Sequence, residues 1–152
     1  MGVRIREFVA ADAEAVSALI QQTMRVSNSR DYAAERLQPL IDYFTPAKVR
    51  QLAAERYCLV AETADSIVAT AALDGDEIVT FFVEPAQQGG GIGSRLLEAL
   101  EAFAREQGME QLRVDASLTG TPFYERKGYL RTGAELDGTA GPQVSMRKTI
   151  QP

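Results

Sequence analysis

The stretch Glu77–Gly108, EIVTFFVEPAQQGGGIGSRLLEALEAFAREQG, constrains the chain most, because its pattern changes from strand to turn to helix in one short run. Ile78–Val83 is apolar and β-favouring with Thr80 as its only polar member, the composition of a strand covered on both faces. Pro85 ends that strand, since proline donates no ladder hydrogen bond. From Ser94 the spacing becomes helical. Leu96, Leu97, Leu100, Phe103 and Ala104 share one face, and Arg95, Glu98, Glu101, Arg105 and Glu106 take the other. Gly108 stands where a left-handed C-terminal cap is expected.

Between strand and helix lies Gln88-Gly89-Gly90-Gly91-Ile92-Gly93. Its glycines let the main chain approach a ligand closely and aim several N–H groups at one point. The helix that follows adds its unpaired amides and positive dipole end. The expected occupant is an anion, a phosphate or pyrophosphate; the plain alternative is a flexible turn. A Walker-type loop is excluded, because no lysine lies between Lys48 and Lys127. The dinucleotide fingerprint fits Gly91 and Gly93 but finds Leu96 where its third glycine belongs, and too much chain precedes the strand. An ATP- or NAD-binding protein is therefore disfavoured.

The pattern Gln88-x-x-Gly91-x-Gly93, after a strand and before a helix, resembles the acyl-CoA-binding motif of the GCN5-related N-acetyltransferases, the GNAT superfamily. A second segment, Pro122-Phe123-Tyr124-Glu125-Arg126-Lys127-Gly128-Tyr129, is similar to that family's C-terminal motif, and the matched regions cover about residues 67–133. The resemblance implies an α+β fold, with a twisted, mixed, mostly antiparallel sheet of about six to seven strands flanked by about four helices. It implies acetyl-CoA as acyl-donor cosubstrate, no metal, and an amine acceptor that is a small molecule or a peptide. Direct transfer in a ternary complex follows from it, and homodimers are frequent among such families.

The same resemblance distributes roles. Main-chain amides of Gly89, Gly91, Gly93 and Ser94 would grip the pyrophosphate in a loop begun by Gln88 and including Gly90 and Ile92. Main-chain groups of Phe82 and Val83 would pair with the pantetheine arm. Tyr124 takes the position of the general acid, a phenol with an ordinary pKa of about 10 that is protonated at neutral pH. Glu77 matches a base glutamate, with Glu84, Asp115 or a water relay as alternatives. Ser117 and Gly120 replace the asparagine and alanine that the family often carries before its tyrosine, so Ser117 offers the pantetheine one hydroxyl in place of an amide fork. These departures keep open a second reading, an acyl-CoA-binding sensor or interaction module without turnover.

The 152 residues are expected to form one domain, 1–152. Net charge is −5 with no basic run, so nucleic acid is not an expected partner, and no apolar run is long enough to span a membrane. The N-terminus lacks a signal-peptide core, and the single cysteine, Cys58, suits a reducing cytoplasm. Cys58 between Tyr57 and Leu59 reads as a small buried strand residue; the other role open to it is an acyl carrier. Histidine is absent, which excludes Ser-His-Asp, Cys-His and His-ligated metal chemistry.

In chain order, Val3, Ile5 and Phe8 suggest a first strand, and Asp12 caps a helix whose core face carries Val16, Leu19, Ile20 and Met24. Residues 25–31 form a polar break. A helical region follows through Tyr32, Leu37, Leu40, Ile41 and Phe44, with Pro39 expected to kink or divide it. By resemblance, residues 25–45 choose the acceptor. Thr45-Pro46 opens another helix ending near Arg56. Strands are expected at Tyr57–Ala61, Ile67–Leu73 and Gln111–Ala116, a short helix at Phe123–Lys127, Tyr129 as a structural residue at the next strand, a turn-rich loop DGTAGPQ, and a last strand from Val144.

Overall fold

The computed structural model describes residues 2–138 and 141–151. A first strand, β1 (Arg4–Glu7), leads into three helices: α1 (Ala13–Val26), α2 (Ala34–Tyr43) and α3 (Pro46–Glu55). The meander β2 (Tyr57–Glu62), β3 (Ile67–Asp74) and β4 (Glu77–Val83) follows, its second hairpin turning at Gly75 with φ +61° as the Asp-Gly pair requires. Then come α4 (Ile92–Glu106), β5 (Gln111–Ser117), α5 (Thr121–Arg126), β6 (Leu130–Asp137) and β7 (Pro142–Thr149). The loop expected at DGTAGPQ includes residues 139 and 140, which lie outside the described residues.

The strands form one seven-stranded sheet in the order β1-β2-β3-β4-β5-β7-β6. Every adjacent pair is antiparallel except β4 and β5, so the sheet is mixed and mostly antiparallel, as the family resemblance implied. Its two faces carry separate cores. One joins α4 (Leu96, Leu97, Leu100, Ala104) to Ala69, Ala71, Ile78, Leu112 and Val114. The other joins α1, α2 and α3 (Val16, Ile20, Leu37, Ile41, Val49) to Val60. Among the described residues no helix is long and apolar enough to cross a membrane.

Local signals mostly act as read. Thr45 caps α3, its hydroxyl accepting the Lys48 N–H at 3.1 Å, with Pro46 in the first turn. Pro39, however, does not divide α2. The hydrogen bond it forfeits would have run to the Glu35 carbonyl, on an exposed first turn open to solvent. Asp12 does not cap α1 through its side chain either. Its carboxylate turns back to accept the Val9 N–H at 2.8 Å and the N–H groups of Arg6 Nη1 and Nη2, each at 2.9 Å. Arg6 also reaches Glu62, so the network ties β1 to β2 and to the start of α1.

Glu101 reverses its expected place. Helical spacing assigned it to the polar face of α4, yet it is 5% exposed. Its carboxylate accepts the Tyr129 hydroxyl at 2.8 Å and Lys148 Nζ at 3.1 Å. A charge buried with two donors is tolerated where an unpaired one would not be. The same bond confirms Tyr129 as structural.

Two stability measurements follow. The Arg6 hydrogen bonds hold the Asp12 carboxyl below the usual carboxylate range, and those from Arg6 and Arg4 do the same for Glu62. A depressed folded pKa stabilises above the unfolded value and loses that contribution as pH falls through the folded one, here below about pH 4. Asp12→Asn should cost about 2 kcal/mol in urea unfolding at pH 7, with the deficit shrinking at pH 3. An equal deficit at both pH values would refute the ionic origin. In the α4 core, Glu101→Ala strands two donors and should cost about 3 kcal/mol, against about 1 kcal/mol for Tyr129→Phe; the reverse ranking would show that Glu101 is not the hub.

Candidate active site

The site begins where the sheet comes apart. β4 and β5 pair only at Glu77–Arg113 and Ile78–Val114. Beyond that point β4 stays with β3 as far as Val83–Ala69, and β5 stays with β7 as far as Ser117–Gln143. A slot therefore opens between two arms of one sheet. The expected doubly covered strand is correspondingly corrected: Ile78 is buried, while Val79–Val83 are only partly covered.

A bulge marks the opening. Between the pairs Ala72–Val79 and Thr70–Phe82, β4 has one residue more than β3. Thr80 adopts φ +46°, a conformation that a β-branched residue meets only under constraint. Beyond the bulge the strand offers a ring to each face. Phe81 packs against Phe123 (5.7 Å between centroids) and Tyr124 (6.0 Å), and Phe82 against Phe44 (6.4 Å). The Glu84 N–H bonds back to Val68 at 2.8 Å, so by ladder alternation the Val83 main-chain groups face the slot. Phe82, paired with Thr70, turns its main chain to β3 instead.

The glycine turn sits at the slot's rim. Gly89 and Gly91 have φ +85° and +86°, which other residues reach only with strain. The Gly90 N–H bonds to the Gln87 carbonyl at 3.3 Å and that of Arg95 to the Gly91 carbonyl at 3.1 Å. Between them the amides of Gly91, Ile92, Gly93 and Ser94 have no main-chain acceptor among the described residues. Such a nest beside a helix start suits an anion. Ile92 gives only its main chain, since its side chain is buried in the α4 core. The Gln88 side chain, exposed, folds back on its own strand end, Nε2 donating to the Val83 carbonyl at 3.0 Å and to Ser27 Oγ at 3.1 Å.

Tyr124 lies across the slot on α5. It is 6% exposed, with Phe81, Phe123 and Tyr129 rings around it at 6.0, 5.1 and 5.6 Å. Its hydroxyl has no hydrogen-bond partner among the described residues, and burial alone pushes the phenol well above its ordinary pKa. Ser117 closes β5, its Oγ accepting the Gly120 N–H at 3.0 Å while its own proton stays available.

Glu77 stands at the closed end of the slot, on the pair with Arg113 and 3.8 Å from that guanidinium. Asp115 accepts the Ser145 hydroxyl at 2.7 Å. Cys58 lies on the α1–α3 face in a cavity of about 20 Å³ that Thr70, Ala72, Thr80 and Phe44 also line, room for roughly one water. Burial raises its thiol pKa, so it is no thiolate nucleophile at neutral pH. Sequence reasoning missed the bulge, the Gln88 tether and the partners of Glu101, which depend on residues distant in the chain.

In sequence the chain is similar to known proteins over part of its length, and in fold over nearly all of it. Two relatives from Streptococcus pyogenes, each called an uncharacterized acetyltransferase, are 37% and 40% identical over 62 residues, 41% of this chain. That aligned part is less than half of each relative, 44% and 42%. Among solved structures, a GCN5-related N-acetyltransferase from Rhodopseudomonas palustris superposes with TM-score 0.89 at 24% identity, over 98% of this chain and 96% of that one. The PaiA N-acetyltransferase of Thermoplasma acidophilum, solved with coenzyme A, gives 0.84 at 17% identity, over 98% and 99%. A family model described as an acetyltransferase (GNAT) domain matches residues 28–150, which takes in the opened sheet, the glycine turn and Tyr124, and so this chain belongs to the GNAT acetyltransferase family.

Proposed function

We propose that the protein is an acetyl-CoA-dependent N-acetyltransferase that moves an acetyl group to a primary amine of a small molecule or peptide, directly and in a ternary complex. One observation carries the reading: the slot between β4 and β5 has unpartnered amides at its rim and a buried, protonated phenol beside it. Acetyl-CoA, a substrate, supplies the activated acyl group as a thioester. The amides of Gly91, Ile92, Gly93 and Ser94 suit its pyrophosphate, with Gly89 and Gly90 bending the turn and Gln88 pinning it to β4. The Val83 N–H, beside a carbonyl already taken by Gln88, suits a pantetheine amide, and the Ser117 hydroxyl can donate to another.

The two proton carriers flank the slot from opposite faces. Tyr124 belongs to the α4 core, whereas Glu77 shares the face of Val79, two residues on, which pairs with Ala72 on the α1–α3 side. As the amine nitrogen bonds to the acyl carbon and the C–S bond breaks, the nitrogen gives up a proton to Glu77 or to water it orders. The departing sulfur takes one from Tyr124, which solvent then restores. The PaiA structure's coenzyme A supports this assignment of the donor.

Thermal unfolding with acetyl-CoA, CoA, ATP and NAD tests the ligand. A CoA compound at 100 times its dissociation constant adds about 2.7 kcal/mol, or roughly 5–10 °C for a domain of this length. Stabilisation by ATP or NAD alone, or by nothing, would remove the reading. In an amine screen, Tyr124→Phe should lower kcat by about 10²–10⁴-fold while keeping the CoA-induced shift; unchanged turnover would take the acid role from Tyr124. Cys58→Ala should turn over normally. Stoichiometric acetylation of Cys58 in the absence of acceptor, lost together with turnover in Cys58→Ala, would overturn direct transfer.

A further inference from the structure

Opening a sheet leaves its two arms joined by few bonds, and the segment Ser27–Arg36 ties them together. At one end Ser27 Oγ accepts from Gln88, on the arm of β4 and the glycine turn, at 3.1 Å. In the middle the Asp31 carboxylate accepts the Thr119 N–H at 2.9 Å and, on its other oxygen, the Thr119 hydroxyl. At the far end the Tyr32 hydroxyl donates to the Pro142 carbonyl at 2.8 Å, and Arg36 donates to Asp137 Oδ1 at 3.0 Å and the Gly138 carbonyl at 3.1 Å. The segment thus crosses from the β4 arm to the arm of β5, β7 and β6.

We propose that Asp31 is a positioning residue for the transfer reaction, setting the loop that aims Tyr124 into the slot. This rests on the reading of Tyr124 as the acid. The path is short and continuous. Thr119, held by both Asp31 oxygens, precedes Gly120, whose N–H bonds to Ser117 Oγ at 3.0 Å. The Gly120 carbonyl accepts the N–H groups of Phe123 at 3.1 Å and Tyr124 at 3.4 Å, starting α5. Thr121 Oγ1 fastens the same turn to the Ser117 carbonyl at 2.9 Å. A helix as short as α5 does not hold itself in water, so its flanking anchors set its direction. The Tyr124 hydroxyl has no partner among the described residues to fix it, which leaves its aim to the main chain and to ring packing. A carboxylate suits the task because two donors meet two acceptor oxygens; the amide of asparagine keeps one of them.

A double-mutant cycle on the full chain tests this, with kcat and acetyl-CoA KM measured for Asp31→Ala, Tyr124→Phe and the pair. Asp31→Ala should lower kcat by about tenfold or more and leave the acetyl-CoA KM within about twofold, while costing nothing further in Tyr124→Phe. Asp31→Asn should fall between Asp31→Ala and the parent. Full additivity, or an unchanged kcat in Asp31→Ala, would overturn the proposal. Amide hydrogen exchange gives a readout independent of turnover. In Asp31→Asn the amides of Phe123–Lys127 should exchange about tenfold faster while those of α4 do not change. Unchanged exchange in α5 would overturn the positioning role whatever Tyr124 does. Faster exchange together with a kinetically silent Tyr124→Phe would instead locate the failure in the acid assignment.

Discussion

The parting of β4 from β5 after two residue pairs is the constraint on which the rest of the molecule depends. A bulge bends the strand that carries it, and the extra residue opposite β3 turns β4 away from its parallel neighbour at the place where pairing stops. Thr80 sustains a left-handed conformation that costs of order 1–3 kcal/mol. Flanking structure over-determines it: β4 is laddered to β3 on both sides of the bulge, and Phe81 and Phe82 are each packed into a different face. A regular β4 would continue its ladder into β5 and use up the main-chain groups that line the slot. It would also leave α5 nothing to pack beside.

Much of this was legible in the sequence, and the reason is local. Strand, turn and helix around the glycine run are encoded by period and by residues with special backbone freedom, so Gly89, Gly91 and the face of α4 could be read from their neighbours alone. Thr80 could not. A threonine in a strand is ordinary, and its strain exists only through the register of β3. Glu101 was misplaced for a related reason: helical spacing says which residues share a face, and its partners, Tyr129 and Lys148, arrive 28 and 47 residues later. Asp12 looked like a helix cap because of its position, but Arg6, in the preceding strand, offers it a bidentate partner. Asp31 bonds across 88 residues and left no local signal.

The two neighbouring tyrosines show how environment divides roles between like side chains. Burial raises the pKa of both phenols, and the carboxylate of Glu101 raises that of Tyr129 further. Tyr129 donates its hydroxyl to Glu101, in a bond that fastens the residue just before β6 to α4. Tyr124, 5.6 Å away ring to ring, has every apolar contact and no acceptor among the described residues. The ring is buried, but the Tyr124 hydroxyl is not among the fully buried unpartnered polar atoms of the described residues, so it keeps access to solvent or to a ligand in the slot.

In a chain without histidine, no side chain has an ordinary pKa near neutrality, so a group poised at physiological pH would have to be shifted there by its surroundings. Under the proposed reading a phenol held protonated by burial and a carboxylate on the other face would be the two ends of the transfer, and their placement would matter most. The Gln88 tether, the Ser27–Arg36 crossing and the hydrogen-bonded turn at Gly120 are then understandable as one system, because a slot made by breaking a sheet needs its two arms held by bonds that the sheet no longer supplies. Side-chain hydrogen bonds tie the two arms where the ladder stops, several of them from Ser27–Arg36, which runs from the end of α1 into the first turn of α2.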